Sequence, residues 1–155
     1  MAQKTAWNAA ALTEADINLY LMGEGGAWQS WTPTCTQSGA VTVTNTRSRF
    51  ARYGRTIVCN WSLSVTGTGT ASNSVVVSLP VTAAAAGMVV GSGYVFDASA
   101  GLLYPALANI NTTTALTFLT TSTDSASFQL GVVNFTAALA AGDALIGTAT
   151  YEAAS

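Results

Sequence analysis

The chain has 155 residues, of which 50% are hydrophobic and only 8% are charged, and it contains no histidine. Soluble domains carry about 25% charged residues, so a surface this poor in charge indicates that other subunits cover much of it. No run of about 18 apolar residues is present, which excludes a transmembrane helix. The four Trp, five Tyr and five Phe, with a net charge of −2, argue against a disordered chain.

The first 26 residues differ from the rest and are expected to form an anchor segment. Thr13 followed by Asp16 resembles a capping box, and Gly23 stands where a C-cap glycine is expected. This pattern predicts a short helix over residues 14–22, which is marginal alone and must dock on a partner. The side chains expected to make that anchoring contact are Leu12, Ile17, Tyr20 and Leu21. The N-terminus lacks the apolar core of a signal peptide, so secretion by that route is not expected.

From residue 27 to residue 155 the pattern is that of β-strands, which defines a second domain. Residues 56–65 alternate apolar and polar side chains, and their apolar members are expected to face a core. Gly54 predicts a tight hairpin turn just before this strand. Further strands are predicted at 74–79, 89–96, 102–107, 116–120, 128–133 and 144–151. Several short strands at this spacing predict an antiparallel sandwich or barrel.

Two features between the strands are interpreted without a functional role. The alanine runs 83–86 and 137–141 are too short, and too close to glycines, for more than one helical turn, so we predict loops. Cys35 and Cys59 do not resemble a metal-ligand cluster. We expect them to be buried and reduced, because disulfides are rare in the cytosol, although the sequence does not fix their redox state.

The sequence offers little for catalysis, and we predict no catalytic, cofactor-binding or metal-binding residues. Without histidine, the commonest general base and metal ligand is missing, and no base is available to activate Ser92 between its two glycines. No nucleotide-binding loop or metal-ligand spacing occurs. A carbohydrate-active enzyme stays possible if two carboxylates among Asp97, Asp124 and Asp143 form a pair. Each of the three lies in a turn-like context, which favours solvated turn residues instead.

All four arginines lie close together in an otherwise acidic chain: Arg47, Arg49, Arg52 and Arg55. Basic residues interleaved with aromatic ones can bind nucleic acid. On a strand, however, Arg47 and Arg49 would point to one side while Phe50 and Arg52 point to the other. The pattern therefore favours a charged strand edge or a contact with an acidic neighbouring subunit over nucleic-acid binding.

Two tryptophans mark the junction between the anchor segment and the β-domain. Trp28 and Trp31 could form the lid of the core, with Trp61 beneath them. They could instead form an aromatic platform on which a glycan packs. The sequence favours the lid and leaves the glycan contact open.

Several motifs together carry a family likeness. Residues 12–21 resemble a short T-x-x-D-I/L-N helix and residues 28–34 resemble a W-x-P entry into a β-domain. Residues 52–58, 78–81 and 147–153 resemble the hairpin, the S-L-P strand end and the closing strand of that domain. With these motifs the chain resembles small virion surface proteins of tailed bacteriophages, especially those of actinobacterial hosts. Its tight Arg-Tyr-Gly-Arg hairpin departs from relatives that insert residues before the glycine.

The resemblance implies a fold and a role. The implied fold is an antiparallel jelly-roll-like β-sandwich preceded by a short N-terminal helix, similar to trimeric tumour-necrosis-factor-like and complement-like heads. The implied role is a non-enzymatic, homotrimeric protein on the virion surface, without nucleic-acid binding or membrane insertion. It would be a capsid decoration protein that binds the major capsid protein, or a tail-tip or tail-fibre protein that binds tail proteins and a host receptor or glycan. The chain has no heptads or collagen-like repeat that could form a shaft, which favours decoration.

Overall fold

The computed structural model describes residues 27–120, 133–135 and 137–154. Several predictions lie outside these residues and are not tested by them: the helix over 14–22, Asp124 and most of the strand predicted over 128–133. The four anchoring side chains also lie outside the described residues: Leu12, Ile17, Tyr20 and Leu21.

The described residues form twelve strands and no helix. In chain order the strands are β1 (Gln29–Ser30), β2 (Cys35–Gln37), β3 (Gly39–Val41), β4 (Val43–Asn45), β5 (Arg49–Tyr53), β6 (Thr56–Val65), β7 (Val76–Ser78), β8 (Met88–Asp97), β9 (Leu102–Thr112), β10 (Ala115–Thr120), β11 (Val133–Asn134) and β12 (Ala144–Glu152).

All twelve strands belong to one antiparallel sheet, in the order β1-β5-β6-β12-β8-β9-β10-β7-β2-β3. The sheet curls back on itself, because β3 at one end continues through the single residue Thr42 into β4, which pairs with β6 near the other end. The mainly β, antiparallel class is therefore confirmed. The finer jelly-roll arrangement stays a prediction.

The strongest local prediction is confirmed residue by residue. Strand β6 spans Thr56–Val65, and its alternate side chains from Ile57 to Val65 are all buried. The hairpin is also confirmed: Tyr53 pairs with Thr56, and Gly54 has a φ of 61°, the positive value that the first residue of a type II′ turn requires. Both alanine runs lie outside the named strands, apart from a single bridge between Ala83 and Ala153.

Other strands differ from prediction in length or were not predicted. Strand β9 continues to Thr112, well beyond the predicted end at residue 107, because its later residues pair with both β8 and β10. Strands β2, β3 and β4 have no separate prediction. Each of these has only three residues, too few to show a clear alternation.

The core lies on the concave side of the curled sheet. Directly opposed residues in an antiparallel pair point to the same face, and one inward row runs from Trp61 through Gly147 and Gly93 to Ala106. A Cβ at Gly147 would overlap the Trp61 ring, so the indole lies across the glycine. Trp61 also meets Phe118 edge to face, with ring centroids 5.9 Å apart. Large side chains of β6 and β10 thus fill space that β8 leaves empty.

Three buried polar side chains fasten the loops to this core. The Gln37 amide donates to the carbonyls of Asn73 (3.1 Å) and Ala137 (2.8 Å). Its oxygen accepts the Leu139 amide at 3.0 Å. The Tyr151 hydroxyl donates to the Val81 carbonyl at 2.7 Å. The third is Asp143, described with the candidate site. Satisfied groups of this kind hold loops that carry no regular secondary structure.

Candidate interaction surface

The convex side of the sheet divides into two unlike halves. On β5 and β6 the outward residues are mostly polar, and we call this the polar face: Arg49, Ala51, Tyr53, Thr56, Val58, Asn60, Ser62 and Ser64. On β8, β9, β10 and β12 the outward residues are mostly apolar, and we call their centre the apolar face: Tyr94, Phe96, Leu103, Pro105, Leu107, Leu119 and Ile146.

The four arginines lie along one edge of the polar face, and all are exposed. Arg49 points outward, whereas Phe50 and Arg52 lie on the side that faces the core, as the alternation predicts. Arg47 is not on a strand: it lies in the bend between β4 and β5, where its amide bonds the Ser62 carbonyl at 3.3 Å. The prediction that Arg47 and Arg49 share one strand face is therefore wrong for Arg47.

Few of these charges are neutralised within the described part of the chain. Arg55 pairs with Glu152 at 3.1 Å, and this is the one ion pair among the described residues. The Arg52 guanidinium donates instead to the Gly54 carbonyl at 2.8 Å. The structure thus presents a cluster of arginines, the arginine edge, with excess positive charge on a protein whose overall charge is −2. An acidic surface would complement it.

The arginine edge lies beside the point where the described chain starts. Strand β1 pairs only with β5, and Ser30 is opposite Arg49. Residues 1–26, predicted to be the anchor segment, are connected to the sheet immediately before this strand.

The apolar face carries no charged side chain. Leu103 is 60% exposed and Leu107 is 37% exposed, and Pro105 between them is also exposed. Tyr94 and Phe96 of β8 flank these residues and are partly buried. The nearest charge along β8 is Asp97, at the end of the strand. Contiguous apolar surface of this kind marks interaction sites on soluble proteins.

The two tryptophans at the junction have different environments. Trp31 is only 9% exposed and belongs to the core, and its indole N–H donates to the Asn60 carbonyl at 3.3 Å. This placement agrees with the predicted role of Trp31 as part of the lid of the core. Trp28 is 47% exposed, so of the two rings predicted as a possible glycan contact, only Trp28 presents substantial surface.

The two described carboxylates considered for glycoside cleavage are held in different ways. Asp97 lies at a turn, where its oxygen accepts the Ser99 hydroxyl (2.7 Å) and the Ala100 amide (3.0 Å), and these bonds hold the pKa of the carboxyl below its usual value. Asp143 is buried, and its two oxygens accept the Ala98 amide (2.9 Å) and the Ala140 amide (2.8 Å). The interpretation of Asp143 as a solvated turn residue is therefore wrong: it ties two loops together.

The thiols are buried as predicted. Cys35 and Cys59 are both free, and burial raises the pKa of each thiol to about 12. Thiolate is the reactive form of cysteine, so both side chains are inert at neutral pH. Ser92 is exposed on the outer side of β8, opposite Leu107 and Thr148.

Neither a metal cluster nor a membrane-spanning helix is found in the described part of the chain. No group of three or more Cys, Asp or Glu residues could hold a metal ion there. No helix there is both long and apolar enough to cross a bilayer.

Comparisons with known proteins find no relative of this chain. No protein-family model, no curated protein and no solved structure matches the chain.

Proposed function

We propose that this chain is a non-enzymatic virion structural protein of a tailed bacteriophage, a homotrimeric capsid decoration protein that attaches to the head and stabilises the shell. The observation that carries the proposal is the arginine edge next to the start of β1. It supplies a charged docking surface for an acidic shell protein at the place where the anchor segment joins the sheet. The sequence motifs shared with virion surface proteins supply the class of partner.

The mechanism is selective binding of the assembled shell. A subunit that binds the assembled form alone stabilises it by its binding free energy. Three anchor segments on one trimer would engage neighbouring capsomers together, so the trimer binds far more tightly than a single anchor. The arginine edge of each subunit would orient the contact and speed association through charge complementarity.

The first experiment measures the copy number of this chain relative to the major capsid protein, by quantitative mass spectrometry of purified particles. A decoration protein is expected at a copy number comparable to the shell protein. Far fewer copies would support the second candidate, a tail-tip or tail-fibre protein. Absence from the particles would refute both.

The second experiment tests the docking surface with two changes. Deleting residues 1–22 should leave a folded β-domain that no longer attaches to particles lacking the native protein. The double variant R49E/R52E should weaken attachment and reverse its dependence on salt. T56S/S64T, on the polar face next to the arginine edge and without a charge change, is the matched control. Full attachment by both the truncated protein and R49E/R52E would overturn the proposed docking surface.

The second candidate is favoured by one observation, the exposed Trp28. An exposed indole can pack on the face of a sugar ring, so a tail protein could use it to bind a host glycan. Isothermal titration with host cell-wall polysaccharide distinguishes the two roles. Binding by the wild type that is lost in W28A would support the tail role, and no binding would support decoration.

A further inference from the structure

We infer that the apolar face is the surface through which copies of this chain associate with one another. The inference rests on the homotrimer in the proposed function and names the part of the sheet that builds it. It is carried by two central strands that are apolar on both faces of the sheet.

Strands β8 and β9 are apolar on both sides of the sheet, and their buried inward residues include Val95 and Ile110. The inward positions of the β8–β9 pair include Gly91, Gly93, Ala106 and Ala108. The directly neighbouring outward positions hold Tyr94, Phe96, Leu103 and Leu107. A sheet with one solvated face instead has apolar residues inward and polar residues outward. Strands that are apolar on both sides are typical of sheets covered on both faces.

Contacts within the chain explain why two inward residues are glycines. No contact among the described residues explains why the outward residues are apolar. Gly93 and Gly147 are small because the Trp61 ring and the neighbouring backbone occupy the space that side chains would need. Nothing in the described chain covers Leu103, which is 60% exposed. Leaving Leu103 and Leu107 in water forfeits the free energy that burial of their side chains would contribute. A covering partner would recover it.

The edges of these strands are already occupied. Each of β8, β9 and β10 has a hydrogen-bonded neighbour on both sides, so no partner can extend the sheet there. Association must therefore use the face. The apolar face spans about 14 Å along β9 and about 15 Å across four strands. With side-chain width included, this is roughly 400 Å², the size at which exposed apolar patches are commonly functional.

The chemistry of the face selects a second copy of the chain over a foreign partner. The face offers no charge for recognition of a charged surface, whereas an uncharged apolar face is complementary to itself. Interfaces between identical subunits are more apolar than those of transient complexes. An apolar face left exposed until a foreign partner binds would promote aggregation. Copies of this chain that are synthesised together can cover the face as soon as they fold. The arginine edge lies on the other half of the sheet and stays available for the shell.

The test compares the oligomeric state of three full-length proteins by sedimentation velocity. The wild type should sediment as an oligomer. L103K/L107K, which places two ammonium groups on the apolar face, should sediment as a monomer of about 15.8 kDa. T56K/N60K adds the same charges at the same spacing on the polar face and should remain an oligomer. Circular dichroism checks that each variant is folded, and L103S/L107S replaces L103K/L107K if the lysine variant does not fold.

A nitroxide label gives an independent measure of contact. Because Cys35 and Cys59 are buried, a thiol reagent should label L107C or T56C at the introduced cysteine alone. Dipolar coupling between copies should be strong for L107C and weaker for T56C.

Two outcomes overturn the inference, and they are distinguishable. A wild-type oligomer that L103K/L107K leaves intact would refute the apolar face as the interface while the homotrimer stands. A wild type that is monomeric at high concentration would refute the homotrimer as well. Attachment to particles is measured separately, so it can succeed or fail in either case.

Discussion

The two outward halves of this sheet differ in the polarity of the side chains that they present. Strand β6 places Trp61 and Leu63 in the core and presents Asn60 and Ser62 outward. Strand β8 places Gly91 and Gly93 inward and presents Tyr94 outward. The difference teaches that both halves are apolar towards the core, whereas strands β8 and β9 present apolar side chains on the outer side of the sheet as well.

The largest expected effect comes from removing a large inward residue. Trp61→Ala empties the space above Gly147 and Gly93, and truncation of a buried aromatic residue costs about 3–5 kcal/mol of unfolding free energy. Leu103→Ala on the apolar face should change the unfolding free energy of the monomer far less, because that side chain is largely exposed. Urea denaturation of both variants under conditions where the chain is monomeric measures the contrast. Equal losses of unfolding free energy in Trp61→Ala and Leu103→Ala would contradict the assignment of Trp61 to the core and of Leu103 to the exposed face.

The next effect separates two adjacent residues of β8. Gly93→Ala introduces a Cβ that overlaps the Ile146 carbonyl oxygen. Overpacking of this kind typically costs about 1–3 kcal/mol. Ser92→Ala changes the neighbouring outward position and should be nearly neutral. Thermal unfolding of the two variants would sharpen the assignment of inward and outward faces, and a neutral Gly93→Ala would contradict the close approach of β8 and β12.

Inward and outward thiols should also differ in reactivity and pH dependence. A folded-state pKa of about 12 for Cys35 and Cys59 means that both thiols stay protonated in the folded chain at pH values where the unfolded chain loses its protons. Their contribution to stability is therefore complete below about pH 9 and is lost as pH rises towards 12. Burial also raises the pKa of Tyr151, which adds to the same loss.

Two measurements follow from these thiols. Ellman's reagent should react with T56C at pH 8 at once and with the native thiols only on unfolding. Alkaline titration of the unfolding free energy should show a shallower decline in C35A/C59A than in the wild type. Rapid reaction of both native thiols in the folded protein would contradict their burial.

The smallest effect belongs to the ion pair on the polar half. Glu152→Gln removes the exposed partner of Arg55, and exposed pairs contribute roughly 0–1 kcal/mol. The loss should disappear at high salt, whereas association through the apolar face should persist or strengthen there. Unfolding and sedimentation measured in parallel across a salt series would separate the two halves. Dissociation of the oligomer by salt would indicate a polar interface instead.

Local patterns in the sequence predict much of the fold. The alternation over 56–65 gives the bounds of β6, and Gly54 gives the turn before it, since strand period and turn chemistry are local properties. The short strands β2, β3 and β4 escape prediction because three residues are too few to show an alternation. The arginine cluster is visible in the sequence, but its exposure and its position beside β1 depend on the pairing of β5.

The apolar face could have been found from one signal. Residues 88–96 and 102–107 are almost continuously apolar rather than alternating, which is typical of strands covered on both sides. Asp143 gave no such signal. A carboxylate after a glycine predicts a solvated turn, and only the approach of the Ala98 and Ala140 amides makes it a buried support.

By itself the sequence determined the antiparallel β class, the hairpin, the longest alternating strand and the burial of both thiols, because each follows from short-range periodicity and side-chain polarity. Only the tertiary structure decided that the sheet curls through residues 39–45, that Trp61 fills the space above two glycines, and that Leu103 and Leu107 remain outside. Those outcomes depend on which strands become neighbours, and neighbours are chosen by the packing of the whole chain rather than by any one segment.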